Sequence, residues 1–391
     1  PHHSTIGVAM KFVLAPDSFK GTMSAATAAA TMSAGVLDVF PDAECIEVPM
    51  ADGGEGTTRS LVDALGGEMR TVEVSDALER PRTAHFGWIE AERLAVVEIA
   101  EAAGIEHLTT EELNPREANT AGVGQLLNHI LGLSPARLIV GLGGSATNDG
   151  GWGMAHALGA VATNAAGKEI ETRALALADA ANLDTSDISE RWQDVEITLA
   201  CDVDNPLTGE RGATAVFGPQ KGVQPNEVEV FDAALAQWGK LLDSASGRAV
   251  SEIPGAGAAG GLGAAFMALL GAKPQRGVEV VIDTVKLGEK IAGADFVFTG
   301  EGSMDYQTKF GKTPWGVMLA ARKQGLPTIA FTGNLGRDVE SLHENGFAAI
   351  VPTVREVGSL KDALAKAQPT LRESVRMTCR ILAAARHTKE F

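Results

Sequence analysis

Cysteine is scarce in this chain of 391 residues. Cys45, Cys201 and Cys379 are widely spaced, so they form neither a disulfide framework nor the paired spacing of a zinc site. The histidines share no spacing either. Few, separated cysteines are typical of a reducing compartment. We therefore expect a cytoplasmic protein in which each cysteine acts as a small apolar side chain.

Basic side chains are also in deficit. Lys and Arg number 33 against 50 Asp and Glu, which gives a formal net charge of −17. A nucleic-acid surface needs clustered Lys and Arg, so we expect no nucleic-acid partner. An acidic chain can still bind a nucleotide, because a local group of backbone N–H donors can hold phosphate.

Long apolar runs are absent. No stretch approaches the ~20 consecutive apolar residues that a membrane-spanning helix requires, so no membrane partner is expected. Residues 1–9 precede Met10 and carry no signal-peptide pattern, and we interpret them as a cloning remnant. A G-x-S-x-G motif, which would indicate a serine hydrolase, is missing as well.

Glycine is abundant, with 45 residues grouped in tight clusters. Short apolar runs precede these clusters, and Ala-rich segments follow, which is the pattern of β-loop-α units. Continuous apolar strands alternating with helices predict an α/β fold with a parallel sheet covered on both faces. The predicted strands are Lys11–Ala15, Glu44–Pro49, Arg137–Val140, Glu196–Cys201, Asp295–Thr299, Thr328–Phe331 and Phe347–Val351.

The segment from Thr71 to Glu98 has a different pattern. Apolar and polar residues alternate there, which indicates antiparallel strands with one solvated face. We therefore predict a second α/β domain inserted into the wound one. The wound domain is placed at residues 10–65 and 286–391, and the inserted domain at residues 66–285.

Polar clusters begin where the predicted strands end, and ligands of open α/β sheets bind at that edge. We therefore interpret the clusters as one composite site. The loop Gly141–Asn148 lies between a strand and a helix, and its glycines would let the backbone approach phosphate. The alternative is a tight turn in which Ser145 or Asn148 caps the helix.

Two further glycine motifs are weaker. The segment Pro254–Gly263 contains a G-x-G-x-x-G pattern, but the residues before it form a poor strand, so close helix packing competes with dinucleotide binding. Gly311-Lys-Thr313 resembles the end of a P-loop. Tyr306 stands where that motif needs its first glycine, so the spacing excludes a Walker A sequence.

Carboxylates at strand ends could orient a hydroxyl group or bind Mg²⁺, although a single such Asp is often a turn former or a helix cap. Asp202 directly follows an apolar run, where burial would raise its pKa toward that of a useful base. The carboxylate candidates are Asp17, Asp52, Glu55, Asp149, Asp202, Asp204, Glu301 and Asp305. The cationic candidates for phosphate or a carboxylate substrate are Lys20, Arg211, Lys221, Lys309 and Lys312.

Eight ordered motifs resemble the bacterial glycerate kinase family, over a span from about Met10 to about Val354. They are APDSFKGTMSA, PMADGGEGT, GLGGSATNDGG, CDVDNPLTGERGA, FGPQKG, PGAGAAGGLGAA, GEGSMDYQTKFGKTPWGV and FTGNLG. The resemblance implies a Rossmann-like domain with an inserted α/β domain and a site in the cleft between them. It also implies Mg²⁺-dependent transfer of the ATP γ-phosphate to D-glycerate, with 2-phosphoglycerate as product, within glyoxylate and sugar-acid metabolism.

Each strand-end loop then receives a hypothetical role. Asp202 would orient or deprotonate the glycerate hydroxyl, with Asp305 as the rival candidate. Lys20 or Lys309 would neutralise γ-phosphate charge. ATP phosphates would be held by Gly143, Gly144, Ser145, Thr147 and Asn148. Substrate or Mg²⁺ would be positioned by Asp52 and Glu301, and further substrate contacts would come from Arg211 and Ser303.

Two other functions compete with the kinase. An NAD-dependent hydroxy-acid dehydrogenase would use the G-x-G-x-x-G segment, with Glu279 near the spacing expected of a ribose-binding acid. A non-catalytic nucleotide or sugar-acid sensor would bind ligand without turnover. Self-association as a homodimer is left open.

Overall fold

The computed structural model describes residues 9–387, so residues 1–8 of the predicted cloning remnant lie outside it. The strands are β1 Lys11–Leu14, β2 Glu44–Glu47, β3 Glu68–Ser75, β4 Pro81–Ile89, β5 Leu94–Glu98, β6 Arg137–Gly141, β7 Val161–Thr163, β8 Asn182–Asp184, β9 Glu196–Ala200, β10 Lys273–Gln275, β11 Phe296–Met304, β12 Thr328–Leu335 and β13 Phe347–Pro352. The helices are α1 Ala25–Leu37, α2 Thr57–Leu65, α3 Ala100–Ala103, α4 Ala121–Leu131, α5 Trp152–Ala157, α6 Ser186–Trp192, α7 Ala213–Phe217, α8 Val228–Ser246, α9 Ala258–Leu270, α10 Gly277–Thr284, α11 Leu287–Ile291, α12 Thr313–Arg322, α13 Glu340–Glu344, α14 Leu360–Ala365 and α15 Ala367–His387.

The chain divides into two compact units. The first ends at Gly66 and resumes at Val278, and the second is Gly67–Gly277. The first division lies one residue from the place expected from the sequence. The second lies at the start of α10, ahead of the predicted position near Lys286, because α10 packs its residues against the first unit's α12.

The first unit is built on a five-stranded parallel sheet with the order β13-β12-β11-β1-β2. Counted within this unit, the strand order is 2-1-3-4-5, which is the flavodoxin-like form of a doubly wound sheet. The predicted doubly wound parallel sheet is therefore confirmed. The winding direction reverses between β1 and β11, and ligands of such sheets bind outside the carboxyl ends of the strands at that point.

Helices cover both faces of this sheet, as the alternation of side chains along β12 shows. Ile329 and Phe331 pack with α1 and α15 through Met32 and Val375. Ala330, between them, packs in a separate cluster with side chains of α12 and α13. Because side chains on both faces of the sheet are buried, the strand sequences are continuous apolar runs.

The C-terminal helix belongs to the first unit's core, although the sequence carried no signature for it. Leu371, Val375 and Cys379 recur every fourth residue on α15 and are fully buried. They face α1, where Gly35 allows close approach: a Cβ at that position would lie 2.8 Å from the Arg372 carbonyl oxygen. The apolar stripe thus fixes α15 against α1.

The second unit contains a six-stranded mixed sheet with the order β10-β9-β6-β5-β4-β3. Strands β10, β9, β6 and β5 are parallel, whereas β4 pairs antiparallel with both β5 and β3. The antiparallel strands predicted between Thr71 and Glu98 are therefore confirmed. Trp152 and Trp238 pack edge to face in this core, with ring centroids 5.5 Å apart.

All seven strands predicted from apolar runs are present, but they are shared between the two sheets. β11 and β12 extend beyond their predicted ends, to Met304 and Leu335. These extensions contain polar and glycine residues, and they form because the two strands continue to pair with each other. Among residues 9–387, no helix is both long enough and apolar enough to span a membrane.

We predict that Gly35→Ala lowers the free energy of unfolding of the first unit by about 1–3 kcal/mol, because the added methyl group would force α1 and α15 apart. Gly288→Ala in α11 is the matched control, since its nearest neighbour would be the flexible amide end of Gln324 at 3.9 Å. Thermal unfolding followed by circular dichroism measures both. Equal melting temperatures for the two variants would contradict this description of the helix contact.

Candidate active site

Carboxyl groups converge at the carboxyl ends of three adjacent strands of the first unit. Asp17 follows β1, Asp52 follows β2, and Glu301 lies near the end of β11. All three are partly buried. Their location is the point where the sheet reverses its winding direction, so the fold itself brings together residues that are far apart in sequence.

Backbone hydrogen bonds hold the two loops of this cluster. The Ala15 and Asp17 N–H groups donate to the carbonyls of Phe298 and Gly300, which prolongs the pairing of β1 with β11. On the other side, the Met50 N–H donates to Pro16. The loops after β1 and β2 are therefore extensions of the sheet, and their carboxylates are held in place by it.

Asp17 is the most constrained of the three carboxylates. Its Oδ1 accepts a hydrogen bond from the Ser18 N–H at 2.6 Å, and its Oδ2 accepts one from the Thr313 hydroxyl at 2.5 Å. Burial raises the pKa of Asp17 to about 6; the Thr313 hydrogen bond acts against this increase, and the charge of Asp52 adds to it. The carboxyl group is thus fixed and loses its proton only near neutral pH.

The pKa of Glu301 is also raised, and by more than that of Asp17. Burial, with the charges of Asp17 and Asp52, raises its pKa to about 8, while Lys312 acts against the increase. The Lys312 ammonium lies 3.5 Å from Asp52 Oδ2. Partial burial acts to lower the pKa of Lys312, but Asp52 and Glu301 outweigh that effect and raise it.

This donor set fits a hard cation. Carboxylate oxygens are the ligands that Mg²⁺ prefers, and both burial and the neighbouring carboxylates act against a negative charge on Glu301, which a bound cation would favour. Among residues 9–387, no three Asp, Glu, His or Cys side chains are arranged to hold a metal ion by themselves. Mg²⁺ is commonly bound by one or two carboxylates together with water and substrate phosphates, and this cluster matches that mode.

Four other predicted site residues belong to the first unit. Asp305 caps the following 3-10 helix, Tyr306–Lys309, by accepting from the Gln307 N–H at 2.8 Å. Its carboxylate is also one of the charges acting on Glu301. The other three are exposed. They are Lys20, Ser303, which accepts from the Asn334 amide at 3.2 Å, and Lys309, whose ammonium lies 5.4 Å from the Phe310 ring centroid.

The predicted phosphate loop is in the second unit, between β6 and α5. Gly143 and Gly144 are exposed there, whereas Ser145, Thr147 and Asn148 are buried. The Ser145 and Thr147 hydroxyls hydrogen-bond each other at 2.7 Å, and the Asn148 amide donates to Thr214 at 2.8 Å. These three side chains fold the loop inward, so the Gly143–Gly144 backbone is the part of the loop that a phosphate could reach.

The alternative interpretation of that loop as a simple helix cap is wrong for Ser145 and Asn148. The capping role belongs to Asp149, which accepts from the Gly151 and Gly153 N–H groups at 3.1 and 3.0 Å. Thr120, at the start of α4, also donates to it through its N–H and its hydroxyl. Asp149 therefore joins the starts of two helices.

A buried lysine, Lys221, also holds the Gly141–Asn148 loop by a hydrogen bond. It is only 2% exposed, and its ammonium donates to the Thr147 carbonyl at 2.7 Å. Burial lowers the pKa of Lys221 to about 8, and the charge of Asp149 opposes the decrease. The sequence makes Lys221 a candidate phosphate ligand, but its ammonium group is buried in the second unit and donates to the Thr147 carbonyl.

The burial expected of Asp202 is not observed. Asp202 is exposed, and its Oδ1 accepts from the Gly277 N–H at 3.0 Å, at the first residue of α10. The apolar strand before it ends one residue earlier, so the side chain emerges into solvent. Arg211 is also exposed, and its carbonyl accepts from the Asn205 amide at 2.7 Å.

The G-x-G-x-x-G segment is not a dinucleotide-binding turn. A 3-10 helix, Val250–Glu252, precedes it instead of a strand. Ala259, Gly260 and Gly261 adopt left-handed backbone angles, and a Cβ on Gly260 would overlap the Thr147 carbonyl oxygen. Glu279 lies in α10 and not at a strand end. The dehydrogenase alternative is therefore unsupported, and Gly260 serves close packing against the Gly143–Asn148 loop.

Three residues of the first unit's cluster have no role that the sequence predicts. Asp17 and Lys312 are candidates without an assigned function, and Thr313 belongs to the P-loop-like segment that the spacing excludes. For Asp17 the available signal was its position after the first strand, equivalent to that of Asp52 after the second. No sequence pattern indicates that Thr313 would reach Asp17.

Comparison with known proteins gives a consistent result. The model of the Glycerate kinase family matches residues 12–383. A glycerate kinase of Halalkalibacterium halodurans is 43% identical over 364 residues, covering 93% of this chain and 96% of that protein. A glycerate 2-kinase of Escherichia coli K12 is 39% identical, covering 90% and 93%. The crystal structure of a Salmonella typhimurium LT2 protein assigned as glycerate kinase 2 superposes with a TM-score of 0.89 at 39% identity, covering 97% of this chain and 100% of that one.

A doubly wound unit with clustered carboxylates at its switch point defines an α/β enzyme. The chain belongs to the glycerate kinase family, as the match across residues 12–383 shows. It is therefore a kinase that uses ATP.

We predict that Glu301→Gln stabilises the first unit at alkaline pH. The folded-state pKa of Glu301, about 8, exceeds the ordinary 4.5, so the folded chain binds the proton more tightly than the unfolded chain. Its contribution to stability is therefore complete below pH 4.5 and is lost as the pH rises toward 8. Since glutamine mimics the neutral form, the variant should exceed the unmodified chain by about 1–3 kcal/mol at pH 8.5 and match it near pH 4.5.

Thermal unfolding between pH 4.5 and 8.5, without divalent cations, measures this difference. Glu47→Gln, which removes an exposed carboxylate at the end of β2, should leave the pH profile as it is in the unmodified chain. A Glu301→Gln variant that is less stable at pH 8.5 than the unmodified chain would contradict the predicted cost of burying ionised Glu301 beside Asp17 and Asp52.

Proposed function

We propose that this chain transfers the γ-phosphoryl group of ATP to the C2 hydroxyl of D-glycerate and releases 2-phosphoglycerate. The observation that carries the proposal is the family match across residues 12–383. The position of the phosphoryl group follows the Escherichia coli relative, which is named glycerate 2-kinase. The carboxylate cluster of the first unit supports the same chemistry from the residues themselves.

Phosphoryl transfer needs little covalent chemistry from a protein. It requires clamps for the phosphates, carboxylates for the metal ion, and a group that orients the attacking hydroxyl. In our proposal Asp17, and not Asp202, orients the glycerate hydroxyl. Asp17 is held by two hydrogen bonds at the switch point, whereas Asp202 is exposed and bonded to the start of α10.

Asp52 and Glu301 remain our proposed ligands for Mg²⁺. Asp52 lies in the loop after β2 and Glu301 near the end of β11, and the raised pKa of Glu301 indicates that added positive charge would be favourable there. When bound, Mg²⁺ would neutralise charge on the ATP phosphates. The protein's own part is to hold both carboxylates in position, and Lys312 contributes to this by pairing with Asp52.

The proposed phosphate contacts are revised from the sequence-based set. Backbone N–H groups of the exposed Gly143–Gly144 turn are retained, while Ser145, Thr147 and Asn148 are proposed to shape the loop. Solvent-exposed cations are retained as candidates for anionic groups of ATP and glycerate: Lys20, Lys309 and Arg211. Ser303, which is exposed at the end of β11, is retained as a substrate contact.

We further propose a reducing cytoplasm as the compartment, since the cysteines of the described residues are all free. D-glycerate is the proposed small-molecule partner. Association of two copies into a homodimer remains a prediction without a structural argument.

Phosphorus NMR tests the proposed reaction. The chain is incubated with ATP, Mg²⁺ and D-glycerate, and a sample without glycerate controls for ATP hydrolysis. We expect a glycerate-dependent phosphomonoester signal matching 2-phosphoglycerate. A 3-phosphoglycerate signal would overturn the proposed position of transfer. Unconsumed ATP would overturn glycerate as substrate, and it is also the result that a non-catalytic sensor would give.

A further inference from the structure

The start of helix α12 contacts two of the three clustered carboxylates. Lys312 directly precedes the helix and Thr313 is its first residue. The Lys312 ammonium lies 3.5 Å from Asp52 Oδ2, and the Thr313 hydroxyl donates to Asp17 Oδ2 at 2.5 Å. The N-cap residue and the first residue of α12 thus reach the loops that follow β1 and β2.

The backbone segment before α12 determines the positions of Lys312 and Thr313. Asp305 and Thr308 form a capping box around the 3-10 helix Tyr306–Lys309. The Lys312 N–H then donates to the Thr308 carbonyl at 3.3 Å, and Lys312 adopts the extended backbone of an N-cap. The segment between β11 and α12 is therefore ordered by its own hydrogen bonds, and it sets the distance from Thr313 to Asp17.

Thr313 completes the set of hydrogen bonds around Asp17. The Asp17 N–H donates to Gly300, its Oδ1 accepts from Ser18, and its Oδ2 accepts from Thr313. Thr313 has no exposed surface, so its hydroxyl is committed to this contact and is not a surface group. Without it, Asp17 would keep one local bond and could rotate about its side-chain torsions.

We propose that Thr313 is a positioning residue for phosphoryl transfer, and that its hydroxyl holds the Asp17 carboxyl in the orientation that accepts the substrate hydroxyl. This inference rests on the proposed function. A displacement of about 1 Å in a reacting group can cost about 100-fold in rate, because correct alignment of the reacting atoms is lost. The effect of removing the Thr313 hydroxyl should therefore fall on kcat more than on substrate binding.

A second buried threonine of the same unit provides a matched control. Thr299 has no exposed surface either, and its hydroxyl donates to the Ala15 carbonyl at 2.7 Å. Thr299→Val and Thr313→Val each remove one buried hydroxyl group and keep the side-chain shape. The two variants differ in the acceptor they leave behind, which is a backbone carbonyl for Thr299 and the Asp17 carboxyl for Thr313.

The test compares steady-state kinetics of Thr313→Val, Thr313→Ser and Thr299→Val with ATP, Mg²⁺ and D-glycerate. We expect Thr313→Val to lower kcat by about 10- to 100-fold with a smaller change in KM. Thr313→Ser keeps the hydroxyl and should stay within about threefold of the unmodified kcat, and Thr299→Val should retain it. Thermal unfolding of each variant separates a change in activity from a loss of folded protein.

Three results would overturn the inference. The first is a Thr313→Val variant with unmodified kcat in an active chain. The second is Thr313→Ser and Thr313→Val losing kcat equally, which would assign the effect to packing. The third is Thr299→Val losing as much kcat as Thr313→Val. An unmodified chain that does not phosphorylate D-glycerate would instead overturn the proposed function, and this inference with it.

Discussion

Burial of the carboxylates at the ends of β1, β2 and β11, together with their mutual repulsion, is the constraint on which the first unit's chemistry depends. The ammonium group of Lys312 acts on Asp17, Asp52 and Glu301. Burial, reinforced by the charges of Asp17 and Asp52, raises the pKa of Glu301 to about 8 against the opposing effect of Lys312, so a nearby cation would favour its ionised form. Such a site favours a metal ion and a hydroxyl donor over a bare anion, which suits the acceptor end of a phosphoryl transfer.

The strand order explains why this cluster exists. In the order 2-1-3-4-5 the sheet reverses its winding direction between β1 and β11, and the loops that leave these strands turn toward opposite faces. Asp17 and Glu301 stand on either side of that opening. The start of α12 then supplies Lys312 and Thr313. The site thus combines the loops after β1 and β2, near the start of the chain, with β11 and α12 from its second half.

Local patterns in the sequence predicted the elements but not their contacts. Apolar runs identified the strands because a strand buried on both faces must be apolar throughout. The same runs could not show that β6 and β9 belong to a different sheet from β1 and β11. The sequence predicts that Thr147 and Asn148 hold phosphate, yet both are buried, and they contact Lys221 and Gly260, which are distant in sequence. The prediction that Asp202 is buried is wrong, because β9 ends at Ala200, one residue before the predicted end of the strand.

In the proposed reaction, Asp17 at the switch point orients the acceptor hydroxyl. This role can be tested by measuring kcat for Asp17→Asn, Asp202→Asn and Asp305→Asn under saturating ATP, Mg²⁺ and D-glycerate. We expect Asp17→Asn to lose about 10²–10⁴ in kcat. Asp202→Asn should stay close to the unmodified chain, and Asp305→Asn should lose less than Asp17→Asn. A near-normal kcat for Asp17→Asn, with Asp202→Asn or Asp305→Asn inactive, would contradict this role.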